Sequence, residues 1–276
     1  MSVDPIAVNQ RNWDAVVPEH VLAYGVDDFV ADPGRITSVV RDDLAALAAH
    51  LPGGSPAGLD VAHLQCHIGL DTLSWARLGA RVTGVDFSPA ATSAARQIAE
   101  RAGLAARFVD SDVDGAADAC QEQFDVVYTG IGALCWLPDL DRWAQVAARL
   151  LRPGGVFYVR DAHPVLYALD PHRTDGQLVL TQPYFGGPAR HHAHTTTYAG
   201  GAVPDGHADT YEWQHSVGEV VQALLDAGLV LSTLAEHRTI PWRALPQLVR
   251  TDAGWALPAG DDRLPLTFAV TARRPS

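Results

Sequence analysis

Apolar positions along the chain change their spacing near residue 60. Before it they recur at helical intervals: "DPIAVNQRNWDAVV" follows a capping Asp, and "PGRITSVVRDDLAALAAHL" carries apolar residues three and four apart. "PGGSPAG" then interrupts the pattern. Beyond it, short apolar runs alternate with amphipathic ones. Strands are predicted over "DVAHLQC", "ARVTGVD", "ARFVDSD", "FDVVYTG" and "RPGGVFYVRDA", and helices over "GLDTLSWARLG", "SPAATSAARQIAERAG", "GAADACQEQ" and "LDRWAQVAARLL". Five strands alternating with helices predict a parallel sheet with helices on both faces.

Residues 164–212 break that rhythm with Pro, Gly, His and Thr. Two β-prone runs inside them, "QLVLTQPYF" and "RHHAHTTTYA", read as an inserted antiparallel ribbon. "SVGEVVQALLDAGLVLSTLAEH" resumes as helix then strand, and "PLTFAVTARRP" is a last strand. The expectation is an α/β fold with a seven-stranded, mostly parallel sheet whose last strand is antiparallel. Residues 1–50 form an N-terminal helical cap, and 51–276 form the main domain with a lid at 164–212.

Composition narrows the chemistry. The 276 residues are 47% hydrophobic, enough for one large core, and the formal charge of −12 repels a polyanion, so no nucleic-acid partner is expected. All 20 basic residues are arginine, which excludes a Walker A loop and any Schiff-base lysine. Three widely spaced cysteines fit neither a zinc pattern nor a disulfide framework, so a reducing, cytoplasmic setting is expected. "MSVDPIAVNQRNWD" has no signal-peptide character, and no run approaches the roughly 20 apolar residues of a membrane span. No membrane partner is therefore expected. His192 and His194 would share a strand face in "RHHAHT", but without an acidic third ligand no metal is expected.

Ligands of open α/β sheets bind at the carboxyl ends of the strands. Three polar loops fall there: Gln65 to Gly69, Asp86 to Ser88, and Asp110 to Asp114. Asp86 ends the second strand, where an acid accepts hydrogen bonds from the ribose of an adenosine. Yet "QCHIG" lacks the Gly-x-Gly-x-x-Gly that lets backbone close on a diphosphate. S-adenosyl-L-methionine carries an adenosine without phosphate, and one turn glycine, Gly69, suffices for it.

"HLQCHIGLDTLSWARLGARVTGVDFS", "FDVVYTGIGALCWLPDLDRWAQVAARLLRPGGVFYV" and "TYEWQHSVGEVVQALLDAGL" resemble the class I S-adenosylmethionine-dependent methyltransferases, which have a Rossmann-like fold. More narrowly they resemble a bacterial subgroup whose first motif reads LQCHxGxDT. The common D-x-G-x-G-x-G is replaced here by His63, Gln65, His67 and Gly69. The resemblance implies that the turn of Gln65, His67 and Gly69 meets the methionine moiety, and that Asp86 holds the ribose. Phe87 would lie against the adenine, with Asp112 and the Val113 amide at its amino group. Thr129 and Gly130 would offer carbonyls to the methionine ammonium, and Trp136 would cross the cofactor's edge.

The acceptor side is expected to draw on Trp13 and Tyr24 of the N-terminal helices and on Tyr184, His192 and His194 of the lid, with Phe185, His191 and Tyr198 adding aromatic wall. The partner is a small-molecule methyl acceptor, O- or N-methylated, and the protein a monomer or homodimer. His163, after the fifth strand, is the first choice of base and His20 the second. Two other readings stay open: a cofactor-binding regulatory protein without turnover, and a nicotinamide-dependent oxidoreductase.

Overall fold

The computed structural model describes residues 3–197 and 199–276. Three helices come first: α1 (Pro5–Ala23), α2 (Val26–Ala31) and α3 (Ser38–Leu47). Asp4 caps α1 by accepting the amides of Ile6 and Ala7, and Thr37 caps α3 by accepting that of Val40. The alternating part follows as β1 (Asp60–Leu64), α4 (Leu70–Arg77), β2 (Arg81–Asp86), α5 (Pro89–Ala102), β3 (Arg107–Asp110), α6 (Ala116–Cys120), β4 (Phe124–Thr129), α7 (Leu140–Leu150) and β5 (Leu151–Ala162). Local signals explain the boundaries. Ser88 caps α5 with Pro89 in its first turn, and Gly103 ends it in the left-handed region.

The rest of the chain holds α8 (Val165–Ala168), β6 (Arg190–Ala193), β7 (Asp209–Glu212), α9 (Val217–Asp226), β8 (Val230–His237), β9 (Val249–Thr251), β10 (Gly254–Ala256) and β11 (Thr267–Arg273). The main sheet has seven strands in the order β3-β2-β1-β4-β5-β11-β8. β11 runs antiparallel to both β5 and β8, as expected for the last strand, and it lies between them.

One face of β1 sends Ala62 and Leu64 into a core with Trp143 and Ala147 of α7 and Leu224 of α9. The other face sends Val61 against Val40 and Leu47 of α3 and Trp75 of α4. Trp75 and Trp143 are thus core residues, as their helical spacing predicts. Within the first 50 residues the helices part company: α3 packs on the sheet, while α1 and α2 join the cluster of Ile68, Leu70 and Ala95. Asp43 of α3 is fully buried, where it accepts from the Tyr128 and Tyr158 hydroxyls and pairs with Arg160.

The insert does contain an antiparallel ribbon, but its strands are β6 and β7. The first β-prone run, 177–185, is not one of them; it contributes only a bridge from Leu180 to Leu169. Leu178 packs on the cluster of Leu166 and Leu169, while Leu180 and Phe185 are largely exposed. The β9–β10 hairpin is a second elaboration, between β8 and β11. Among the described residues no helix is long and apolar enough to cross a membrane.

Candidate functional site

The strand order reverses at β1, whose neighbours are β2 and β4, and the loops leaving β1 and β4 border that switch point. After β1 the backbone turns sharply. Gln65, His67 and Gly69 all take left-handed φ, at 57°, 51° and 77°. Only glycine fits the last position, because a Cβ there would come 2.8 Å from the Phe108 ring and 2.9 Å from the Ala95 methyl.

Asp86 holds this turn. Its Oδ2 accepts the His67 amide at 2.7 Å and its Oδ1 accepts the Ser88 amide at 2.9 Å. Burial pushes its carboxyl up to about 6, although those two amides oppose the shift. Gln65 spans the switch point: Nε2 donates to the Ala133 carbonyl at 2.9 Å, while its buried Oε1 has no hydrogen-bond partner among the described residues. A buried acceptor left unpaired is costly, and it invites a ligand with an N–H or O–H donor.

The loop after β4 is fixed from β5. Asp161 accepts the amides of Gly132, Ala133 and Leu134 at 2.6, 3.1 and 2.8 Å. Thr129 is buried, with its hydroxyl 3.4 Å from Trp143 Nε1, and Gly130 packs close to the His63 ring. Phe87 is half-buried, and its carbonyl accepts from Gln10 Nε2 of α1 at 2.6 Å. Asp112 is exposed and accepts the Gly115 amide, whereas the Val113 side chain turns into the core.

α1 lies over these loops. The Trp13 ring meets those of His67, Trp136 and His20 edge-on at centroid distances of 5.1, 5.2 and 5.6 Å. His20 Nδ1 and His67 Nε2 are 3.1 Å apart, and Tyr24 stacks on His20. Burial holds His20 down to about 4 and His67 to about 3, so both rings are neutral and one donates to the other. His67 and Trp136, expected on the cofactor side, and Trp13, His20 and Tyr24, expected from the N-terminal helices, therefore converge.

His163 stands elsewhere. Its Nε2 is 2.9 Å from Glu236 of β8, its Nδ1 accepts the Val165 amide, and its ring meets Phe268 of β11. With both nitrogens engaged, a role as base would require it to break a contact of its own. In the insert, His192 and His194 stack on each other, His194 is exposed, and Tyr184 packs on Phe185. Tyr198 lies outside the described residues. No group of three His, Cys, Asp or Glu that could hold a metal ion occurs among the described residues.

Several contributors were not singled out in the sequence. Asn9 makes a two-way pair with the Tyr211 backbone, donating to its carbonyl and accepting its amide at 2.7 Å each, and Asn12 donates to the His207 carbonyl. These tie α1 to the insert. The available signal was two asparagines three apart on an otherwise apolar helix face. Asp161 carried a weaker one, a charge inside the apolar run of β5.

Residues 62–157 match the methyltransferase domain family. A ubiquinone biosynthesis O-methyltransferase of Xanthomonas axonopodis pv. citri is 35% identical over 168 residues, covering 59% of this chain and 62% of that protein. One from Methylobacterium sp. is 32% identical over 148 residues, covering 53% and 56%. The matched part thus spans less than two thirds of either relative. An S-adenosylmethionine-dependent methyltransferase from Mesorhizobium loti superposes with a TM-score of 0.59 at 22% identity, over 83% of this chain and 96% of that one. The 1,6-didemethyltoxoflavin-N1-methyltransferase of Burkholderia thailandensis gives 0.53 at 20% identity, over 100% and 92%. Residues 62–157 are thus similar to a methyltransferase domain, and the chain shares the fold of S-adenosylmethionine-dependent methyltransferases of known structure.

Proposed function

We propose that the protein transfers a methyl group from S-adenosyl-L-methionine to a nitrogen or oxygen of a small organic molecule. The observation that carries this reading is Asp86, buried at the end of β2 beside a switch point that Gln65 spans with an unpaired acceptor. Asp86 suits the ribose hydroxyls, Gln65 Oε1 suits the methionine ammonium, and Thr129 and Gly130 lie on the β4 side of the same switch point. Phe87, Asp112 and Val113 fall at the adenine end. When bound, the cofactor supplies an electrophilic methyl on a sulfonium, whose departing thioether is neutral and needs no acid.

The chain's own task is then alignment and water exclusion. α1 acts as the cap, with Trp13, His20 and Tyr24 closing over the first turn. Where the acceptor must lose a proton, the receiving group belongs to the cap or insert rather than to His163. Calorimetry should detect S-adenosylhomocysteine and not NADH, and Asp86→Ala should weaken binding by roughly 2–4 kcal/mol. Equal affinity in that variant removes the ribose assignment; binding of NADH alone overturns the reading.

A further inference from the structure

The inner face of the β6–β7 ribbon carries a carboxylate, Glu212, that pairs with no arginine among the described residues. Arg190 faces Glu212 in the ladder and His192 faces Thr210, so these four side chains share one side of the ribbon. Arg190 spends its guanidinium on the carbonyls of Tyr167 and Pro183. The other arginine of the insert, Arg173, is paired with Asp175. His192 approaches Glu212 only to 3.9 Å, and among the described residues nothing donates a hydrogen bond to the Glu212 side chain. That side chain is 24% exposed. Burial raises its carboxyl above the usual range, against the opposing pull of His194 and Arg190. A carboxylate so placed is costly until a cation or donor meets it.

Its surroundings connect it to the site. The negative charge of Glu212 acts on Cys135 and Tyr167, and the Trp213 amide donates to the Cys135 carbonyl at 2.8 Å. A small pocket of about 20 Å³ lies beside them, lined in part by Cys135, Asp161, Tyr167 and Trp213. The residue after Cys135 is Trp136, whose ring meets Trp13, which in turn meets His67. The ring chain from His67 through Trp13 to Trp136 and the Glu212 end of β7 therefore meet the same short segment, residues 135 and 136. The side of the residue chain that would have to neutralise an anion offers no free arginine in the insert, and the protein carries a formal charge of −12 without a single lysine.

We propose that Glu212 binds the amine of the methyl acceptor, and that the acceptor is a compact aromatic or alkyl amine whose body lies against Trp13 and Trp136. This names the acceptor class for the methyltransferase reading and rests on it. An ammonium supplies the missing counter-charge, and aromatic faces favour cations further. Nitrogen can attack only after its proton has left, and Glu212 is the adjacent group able to take that proton.

The test is calorimetry on the full chain in the presence of S-adenosylhomocysteine, with phenethylamine, 2-phenylethanol and phenylacetate as probes of one shape. Phenethylamine is expected to bind at least tenfold more tightly than either of the others. Glu212→Gln should weaken it at least tenfold while leaving S-adenosylhomocysteine affinity unchanged, and Glu212→Asp should retain part of it. Absence of phenethylamine binding, equal binding of phenylacetate or 2-phenylethanol, or an undiminished Glu212→Gln each overturns the proposal. The comparison among probes on the parent decides the matter even if a variant fails to fold. Failure of the parent to bind S-adenosylhomocysteine instead overturns the methyltransferase reading itself, and the amine assignment with it.

Discussion

Gly69 carries two demands at once, a left-handed backbone and a gap of under 3 Å to Phe108 and Ala95. Gly69→Ala should therefore destabilise the protein by roughly 2–4 kcal/mol, from strain at positive φ plus overpacking. Urea denaturation of the variant measures this, and a loss under about 0.5 kcal/mol would show that the turn relaxes freely. Glycine at 69 was legible because it is the only one in "QCHIG". The left-handed backbone at Gln65 and His67 was not, since residues other than glycine adopt it only uncommonly. Those two are held in place by tertiary contacts: Asp86 on the His67 amide, Ala133 on the Gln65 amide group. Strain of this kind persists where surrounding structure over-determines it, and it clusters at ligand sites.

α1 and β7 are joined by the Asn9 side chain bonding both ways with the Tyr211 backbone, an arrangement that mimics one rung of a sheet. It makes the cap and the insert a coupled cover. Removing it by Asn9→Ala should cost about 1–3 kcal/mol locally, because the Tyr211 amide and carbonyl lose their partner. Hydrogen exchange should then speed up in both α1 and β7 while β1 and β4 stay protected, and S-adenosylhomocysteine should dissociate faster. Exchange confined to β7 would mean that the two elements open independently. The ribbon illustrates what local pattern misses. Both "QLVLTQPYF" and "RHHAHTTTYA" have strand propensity, but the strand that pairs with the second proved to be "DTYE", whose Thr and Tyr are flanked by acids. β7 exists because β6 and Asn9 occupy its two sides, a long-range fact.

Proton linkage involves the whole molecule. Burial holds His20 at about 4 and both His63 and His67 at about 3, so these rings are neutral when folded. The unfolded chain takes up their protons near 6.5, so their contribution is complete above that pH and is lost as pH falls toward the folded values. Asp71 and Asp86, raised to about 6 by burial, act in the opposite sense: stability returns as pH falls through 6 and they become neutral. At pH 5 each of the three histidines costs about 2 kcal/mol, against about 1.4 kcal/mol regained from each of the two carboxyls. Tm should accordingly fall between pH 7 and pH 5, and His67→Gln should fall less steeply. A Tm that rises over this interval would mean that the carboxyls dominate.

The alternation of apolar runs determined the five parallel strands, their helices and the antiparallel last strand, because burial on one or both faces imposes its own period on a chain. It also located Asp86 and the first turn, since the ends of strands can be counted. What faces what across the site was decided only in three dimensions. Asn9 reaches Tyr211 across 202 positions, Asp43 reaches Arg160 across 117, and Glu212 comes to Cys135 from the far end of an insert. Such contacts leave no local period, because polar side chains pair by geometry after the sheet has brought their elements together. His163 makes the same point: its place after β5 was readable, while its partner Glu236 depended on β11 entering between β5 and β8.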